Sequence, residues 1–205
     1  MKLINQTWSF EILPDDILNK IEKIGRVCYK SEDRITKDSS EKFVRSLIKS
    51  GHESVLEHIS VSVRFITNRS VTHELVRHRL CSFSQESTRY VKYDGKMEFI
   101  NPVWFRGDTL KKDEEVLSEI TFIKACYSSE IAYHKLLDNG WKPEQAREIL
   151  PNALKTEIVV TANLREWRHI FKLRTSKKAH PQIRELFKSC LDGFKREIPI
   201  IFDNI

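Results

Sequence analysis

The amino-acid sequence predicts an α+β fold: an antiparallel sheet flanked by helices, in a single domain spanning residues 1–205. Three observations point there. The apolar spacing alternates between helical and strand periods along the chain. No repeating strand–helix–strand pattern emerges of the kind that builds a parallel sheet. And 205 residues, 40% hydrophobic and 31% charged with six Gly and six Pro, suit a folded globular chain with one good core.

Taken in order, Pro14 and Asp15-Asp16 mark a helix start, followed by Ile17, Ile21, Ile24 and Cys28 at helical spacing. A second helix is expected from Asp38, with Glu41 completing a capping box, an apolar stripe of Phe43, Val44, Leu47 and Ile48, and a stop at Gly51. In SVSVRFIT, Val61, Val63 and Phe65 alternate with polar residues, as in a half-buried strand. Residues 71–79 form a short helix with Arg77-His78-Arg79 at its end. TRYVKY and MEFI are expected as two strands of a hairpin turning at Asp94-Gly95. RGDTLKKDEE is the best candidate for an exposed connection. From about Asp113 to Asn139 the spacing Val116, Ile120, Ile123, Tyr127, Ile131 predicts a helix closed by Gly140. A shorter helix runs from Pro143 to Leu150, and EIVVTA is a strand or a buried helix. Asn163 with Glu166 opens a helix reaching Arg174, and a last amphipathic helix uses Ile183, Leu186, Phe187, Cys190 and Phe194.

The formal charge of +6 and a pI near 9.1 favour an anionic partner. The first residues lack the apolar core of a signal peptide, and no apolar run approaches the roughly 20 residues that span a bilayer. Cys28, Cys81, Cys126 and Cys190 lie far apart without a CxxC pair, which argues against a zinc framework and for reduced thiols in the cytoplasm. Nucleic-acid binding is suggested by the basic residues. Against it, the acidic residues are interspersed with them, and no basic stripe with interleaved aromatics stands out.

Charge and hydroxyls concentrate in RHRLCSFSQESTRY, residues 77–90: Arg77, His78, Arg79 and Arg89 beside four Ser and Thr hydroxyls. A guanidinium offers a fixed fork of donors to phosphate, so this stretch is either a solvated basic face or the seat of an anion. Neither GxGxxG nor GxxxxGK[ST] is present to explain it. In GHESVLEH, residues 51–58, His52 and His58 are six apart and do not share a helix face, so capping is favoured over a metal. In NLREWRHIFKLR, residues 163–174, Arg165 and His169 share one side, while Arg174 continues the apolar stripe of Trp167 and Ile170. A cation there either snorkels at the helix end or meets a substrate anion. No GxSxG elbow supports a serine hydrolase, and although Arg79 beside Cys81 would favour a thiolate, a lone Cys next to charge is usually an ordinary Cys.

Arg77-His78-Arg79, seven residues, then Ser87 resembles the signature of the flavin-dependent thymidylate synthases. GHESVLEH, the TRY after Ser87, Ala146-Arg147 before Leu150-Pro151, and NLREWRHIFKLR are similar to that family in the expected order. The resemblance covers about residues 51–190 and implies that family's fold. It implies FAD binding by Ser54, Arg77, His78, Arg79, Gln85, Asn163, Leu164, Arg165 and His169, with His52 close to the flavin. It implies dUMP binding by Glu74, Leu75, Val76 and Arg77, by Gln85, Glu86, Ser87, Thr88 and Arg89, and by Arg147 and Arg174. Some family members carry Glu in place of Gln85 and Asn in place of His169; both exchanges keep hydrogen-bonding capacity. The implied reaction is reductive methylation of dUMP to dTMP, with methylenetetrahydrofolate as one-carbon donor, reduced flavin as hydride donor and NADPH as reductant, and without metal. Arg174 is expected to activate the uracil and Ser87 to position it. A homotetramer with active sites shared between subunits is implied, with no nucleic-acid or membrane partner.

Overall fold

A computed structural model describes residues 1–105 and 112–205. The chain forms two compact units that alternate along the sequence. The first holds Met1–Thr7, Phe65–Arg77 and Ser84–Ile158; the second holds Trp8–Arg64, His78–Phe83 and Val159–Ile205. The elements are β1 (Lys2–Ile4), β2 (Thr7–Ile12), α1 (Ile17–Val27), α2 (Ser39–Lys49), β3 (Ser60–Asn68), α3 (Arg69–Leu75), β4 (Ser82–Gln85), β5 (Glu98–Ile100), α4 (Asp113–Asp138), α5 (Pro143–Ala146), β6 (Lys155–Asn163), α6 (Leu164–Arg174), α7 (Pro181–Glu197) and α8 (Pro199–Phe202). Single turns of 3-10 helix, Glu53–His58 and Arg147–Ile149 among them, join several of these. The fold is the expected mixture, with an antiparallel sheet of strand order β2-β3-β6-β4 flanked by helices. No helix among the described residues is long and apolar enough to cross a membrane.

In the first unit, β1 pairs with β5 in parallel, Leu3 opposite Phe99. Their core takes Met97, Phe99, Cys126, Tyr133, Ala146 and Leu154. This corrects the expected hairpin: MEFI pairs with residues from the start of the chain, and TRYVKY is not a strand. The Ser87 carbonyl accepts from the amides of Tyr90 and Val91 at 3.2 and 2.9 Å, a helical turn that takes this segment out of ladder geometry. β1, β2 and β4 were not anticipated, because strands of three to six residues carry too few alternations to signal themselves. α3 is capped by Asn68, whose side-chain oxygen accepts from Val71 N–H at 2.9 Å, and it stops just before Arg77.

α4 runs where its periodicity predicted, but its apolar row is turned outward. Val116, Ile120, Ile123, Tyr127 and Ile131 are 39–54% exposed, while Cys126, Glu130 and Tyr133 face inward. Of the expected connection RGDTLKKDEE, residues 106–111 lie outside the described residues, and Asp113–Glu115 form the first turn of α4. β6 settles the ambiguous EIVVTA as a strand: Thr156, Ile158, Val160 and Ala162 are buried and their neighbours only partly so.

In the second unit, α1 packs on α2, and α6 packs on α7 and on the 53–58 turn. Gly25 and Glu22, not Cys28, continue the buried face of α1, because Phe43 occupies the space a side chain at 25 would need. The capping box expected at Asp38 does not form; Glu41 pairs instead with Arg45 one turn on, at 3.0 Å. Gly51 does end α2 as expected, at φ +72°, which only glycine adopts without strain. Its amide and that of His52 then donate to the Ile48 and Leu47 carbonyls.

The aromatic core joins Trp167, Phe171, Phe187, Phe194 and Phe202, with ring centroids 5.0–6.1 Å apart. Trp167 Nε1 donates to the Val61 carbonyl at 3.0 Å. Beside this core lies Arg168, only 2% exposed, donating to Glu53 Oε1 at 3.0 Å, to Asn204 Oδ1 at 2.9 Å and to the Ile201 carbonyl. A buried guanidinium cannot shed its charge, so each of these acceptors is required.

Removing Arg168 leaves Glu53 without its cation. Breaking a buried pair costs about 3–5 kcal/mol, and the 21% exposure of the Glu53 side chain places this case at the low end. Arg168→Leu is therefore expected to lower the unfolding free energy by about 3 kcal/mol in urea titrations. Adding Glu53→Gln to that variant is expected to restore part of the loss.

Candidate active site

In the second unit, candidate residues gather where β6 runs into α6. Asn163 Oδ1 accepts from Glu166 N–H at 2.8 Å, capping the helix, and Leu164 N–H donates to the Ile59 carbonyl at 2.9 Å. The Leu164 side chain is fully buried, so its side chain and amide are both committed to the fold. α6 then turns Trp167, Arg168, Ile170 and Phe171 inward and exposes Arg165 and His169 on one side, as their spacing predicted. Arg165 pairs with Glu57 of the 53–58 turn. His52, at the start of that turn, and Ser54 within it are exposed.

His78, the middle residue of the Arg-His-Arg triplet, behaves unlike its neighbours. Arg77 and Arg79 are exposed; His78 is 6% exposed. Its Nε2 accepts from Arg174 Nε–H at 2.9 Å, and its Nδ1 lies 3.5 Å from Glu166 Oε1. Its ring meets that of His169 edge-on, with centroids 6.1 Å apart. Burial first, then the charges of Arg174 and His169, push the His78 pKa down to about 4. The imidazole is therefore neutral, and its two partners assign the proton to Nδ1. Burial raises the pKa of the Glu166 carboxyl, with His169 opposing. Cys81 is no activated thiol: burial, then the Glu166 charge, push it up to about 12.

Among the described residues, His78, Glu166 and His169 form the one group of metal-ligating side chains with ligand atoms mutually within 4.8 Å. Ligation through His78 Nδ1 would need the lone pair there and move the proton to Nε2. That nitrogen could then no longer accept from Arg174. As arranged, with His78 Nε2 committed to Arg174, the group is not set up as a ligand set.

The first unit brings together the substrate candidates around Gln85–Arg89. The Gln85 amide donates to Thr72 Oγ1 at 3.0 Å and to Thr156 Oγ1 at 3.3 Å. Glu86 accepts from the Tyr93 hydroxyl and from Lys155 Nζ at 3.1 Å; Lys155 also pairs with Glu157 at 2.8 Å. Burial, then Glu86, hold the Tyr93 proton on well above the ordinary phenol range. Burial works against the charge of Lys155, but its bonds to Glu157 and Glu86 raise its pKa all the same. Arg69 Nη1 reaches the Glu86 carbonyl at 3.5 Å.

Ser87 Oγ accepts from Arg89 N–H at 3.3 Å, and the exposed Arg89 guanidinium lies over the Tyr90 ring at 5.3 Å. Thr88 is buried and accepts from Arg147 Nη1 at 3.5 Å. Arg147 Nε is buried and 3.3 Å from Glu148 Oε1, yet has no aligned hydrogen-bond acceptor. Of the remaining candidates in this unit, Leu75 is buried, Glu74 is half-buried, and Val76 and Arg77 are exposed past α3.

The predicted residues thus divide by unit. His52, Ser54, His78, Arg79, Asn163, Leu164, Arg165, His169 and Arg174 belong to the second; Glu74 to Arg77, Gln85 to Arg89 and Arg147 belong to the first. Residues not anticipated are Glu166 as a side-chain partner of His78, and Arg69, Tyr93, Lys155 and Glu157 around Glu86. Tyr93 lay in a segment assigned to a strand. The pairing of Lys155 with Glu86, 69 residues apart, has no local signal at all.

Comparison with known proteins places this geometry. A family described as thymidylate synthase complementing protein matches residues 6–200. The flavin-dependent thymidylate synthase of Mycolicibacterium gilvum is 38% identical, covering 90% of this chain and 78% of its own. That of Corynebacterium efficiens is 34% identical, covering 89% and 77%. Among solved structures, the UMP/dUMP methylase PolB from Streptomyces cacaoi, crystallised with 5-Br dUMP, superposes with a TM-score of 0.85 at 25% identity over 99% of this chain and 96% of that one. With both sequence and fold agreeing over nearly its whole length, the chain belongs to the thymidylate synthase complementing protein family and is an enzyme of that family.

Proposed function

We propose that the chain is a flavin-dependent thymidylate synthase converting dUMP to dTMP, with residues 1–205 acting as one such domain in the cytoplasm. Methylenetetrahydrofolate donates the one-carbon unit, NADPH restores the flavin, and FAD, once bound and reduced, supplies the hydride. What carries the reading is that the relatives matched over most of the chain are named flavin-dependent thymidylate synthases.

The donor chemistry fits these ligands. A buried Arg147 Nε–H without an acceptor, beside Thr88, suits a substrate phosphate, which would complete it. The Ser87 hydroxyl and backbone position the nucleotide; Ser87 Oγ accepts from the Arg89 amide, and the proposed chemistry requires no attack by the enzyme. Exposed Ser54, His52, His169, Arg79 and Arg77 offer the hydroxyl, imidazole and guanidinium groups that an FAD diphosphate and flavin edge require, with Gln85, Asn163 and Arg165 completing the set. Arg174, directed at the N3–O edge of the uracil, stabilises the negative charge that makes C5 nucleophilic.

The assembly is a homotetramer with active sites at subunit interfaces. The outward apolar row of α4 supports this, since a contiguous exposed apolar face marks an interaction site.

The neutrality of His78 ties the site to pH. Its folded pKa of about 4 lies below the ordinary 6.5, so between these values the unfolded chain takes up a proton that the native state refuses. Stability therefore falls as pH drops through that window, by at most about 3 kcal/mol, and His78→Gln removes this part of the slope. Urea midpoints of the two proteins compared across the window would measure it.

Turnover is tested by supplying FAD, NADPH, methylenetetrahydrofolate and dUMP and measuring dTMP against single omissions. UMP is assayed in parallel, because the solved relative is a UMP/dUMP methylase. Product formed by protein stripped of its flavin, with no FAD added back, would reject the proposal. Arg174→Ala is expected to lower kcat by about 10²–10³-fold with bound FAD retained; loss of flavin together with activity would assign Arg174 a folding role instead. Arg147→Ala is expected to raise KM for dUMP about 10- to 100-fold with little change in kcat, the signature of binding shared by ground and transition states.

A further inference from the structure

We propose that Glu166 is a positioning residue for this reaction, acting through His78 to hold the Arg174 guanidinium in place. The inference rests on the thymidylate synthase reading above and extends it to a side chain that no part of that reading uses.

Two contacts in the second unit carry it. Glu166 Oε1 lies 3.5 Å from His78 Nδ1, and His78 Nε2 accepts from Arg174 Nε–H at 2.9 Å. Glu166 and His78 are 7% and 6% exposed, so the chain between them is shielded from water. A neutral imidazole offers one donor and one acceptor, and the two ends are not interchangeable. With the proton on Nδ1, His78 donates to the carboxylate and presents its lone pair to Arg174. With the proton on Nε2, two N–H groups would face each other and the arginine contact would be lost. Glu166 selects the first form, as a carboxylate behind a catalytic or ligating histidine commonly does.

The helix does not need the Glu166 side chain for its own start. Asn163 supplies the cap, accepting from the Glu166 amide. The carboxyl is instead held where burial raises its pKa, and the groups facing it are His78, His169 and the Cys81 thiol. A buried carboxylate is costly unless paired, and the imidazoles of His78 and His169 lie beside this one. Its placement is explained by what it does to His78. The consequence falls on Arg174, the last residue of α6, whose Nε–H the imidazole accepts. Fixing Nε fixes the plane of the guanidinium, and a planar fork must be aligned to meet the edge of a base.

The test uses the full-length protein. Imidazole ¹⁵N spectra of the wild type, with His78 assigned by comparison with His78→Gln, are expected to show Nδ1 protonated and Nε2 bare at neutral pH. Glu166→Ala is expected to shift His78 toward the Nε2–H form and to lower kcat by about 10- to 100-fold, with KM for dUMP, FAD content and melting temperature little changed. Glu166→Gln, whose amide oxygen still accepts from Nδ1–H, is expected to keep the wild-type tautomer and most of the activity. A wild-type His78 protonated on Nε2, an unchanged tautomer in Glu166→Ala, or a Glu166→Gln protein as impaired as Glu166→Ala would each overturn the proposal. If Glu166→Ala does not fold, the wild-type spectrum and Glu166→Gln decide it. Wild-type protein that makes no dTMP would reject the assigned reaction, while the spectra would still show whether the carboxylate sets the tautomer.

Discussion

Burying the Arg168 charge is the constraint on which the second unit depends. A guanidinium at 2% exposure must have its donors met within the protein, and three separate segments meet them: Glu53 from the 53–58 turn, the Ile201 carbonyl from α8 and Asn204 from the last residues. The arrangement links α6 to elements more than 30 positions away in either direction along the chain. Next to it, Trp167, Ile170 and Phe171 commit the same face of α6 to the aromatic core. One side of the helix is thereby locked, and the other is left to present Arg165, His169 and Glu166 at set positions. The site inherits its rigidity from this arrangement, since groups on a packed helix are held more closely than groups on a loop.

The basic stretch that dominates the sequence is electrostatically heterogeneous once folded. Arg77 and Arg79 remain in water, where charge is inexpensive and available to an anion. His78 is drawn into the interior and held neutral by the environment that surrounds it. The two roles require opposite surroundings, and alternation within three residues supplies them. Around Glu86 the solution differs. Lys155 pairs with both Glu86 and Glu157, Tyr93 donates to Glu86, and the polar groups there are engaged with one another. Beside these engaged groups, the unmet donor on Arg147 stands out as the place for an anionic group.

Family membership and geometry inform different levels of the reading. The relatives identify the chemistry to be expected, and the contacts say which atoms have room to take part. Leu164 illustrates the distinction: the family pattern includes the position, yet its side chain and amide are already engaged in the fold. α4 illustrates the converse. Its apolar face is exposed among the described residues, and the proposed assembly would cover it.

By itself the sequence determined the long helices, the two central strands and the segments that make up the site. These are local properties: period-2 burial in β3, the stripe of α7, Asn163 three residues before Glu166, and glycine at 51 where φ must be positive. Tertiary structure alone decided how those pieces are used. MEFI is an apolar run that any exposed strand edge could accept, and it paired with β1 instead of its neighbour. The row on α4 has a clear period, but a period cannot say whether its apolar side faces a core or the outside. Glu166 carried the spacing of a capping residue, and only the arrival of His78 from 88 positions earlier turned its carboxylate to another use. Local rules act over one or two turns. Partners chosen across the fold depend on which surfaces meet, and no short window of sequence contains that information.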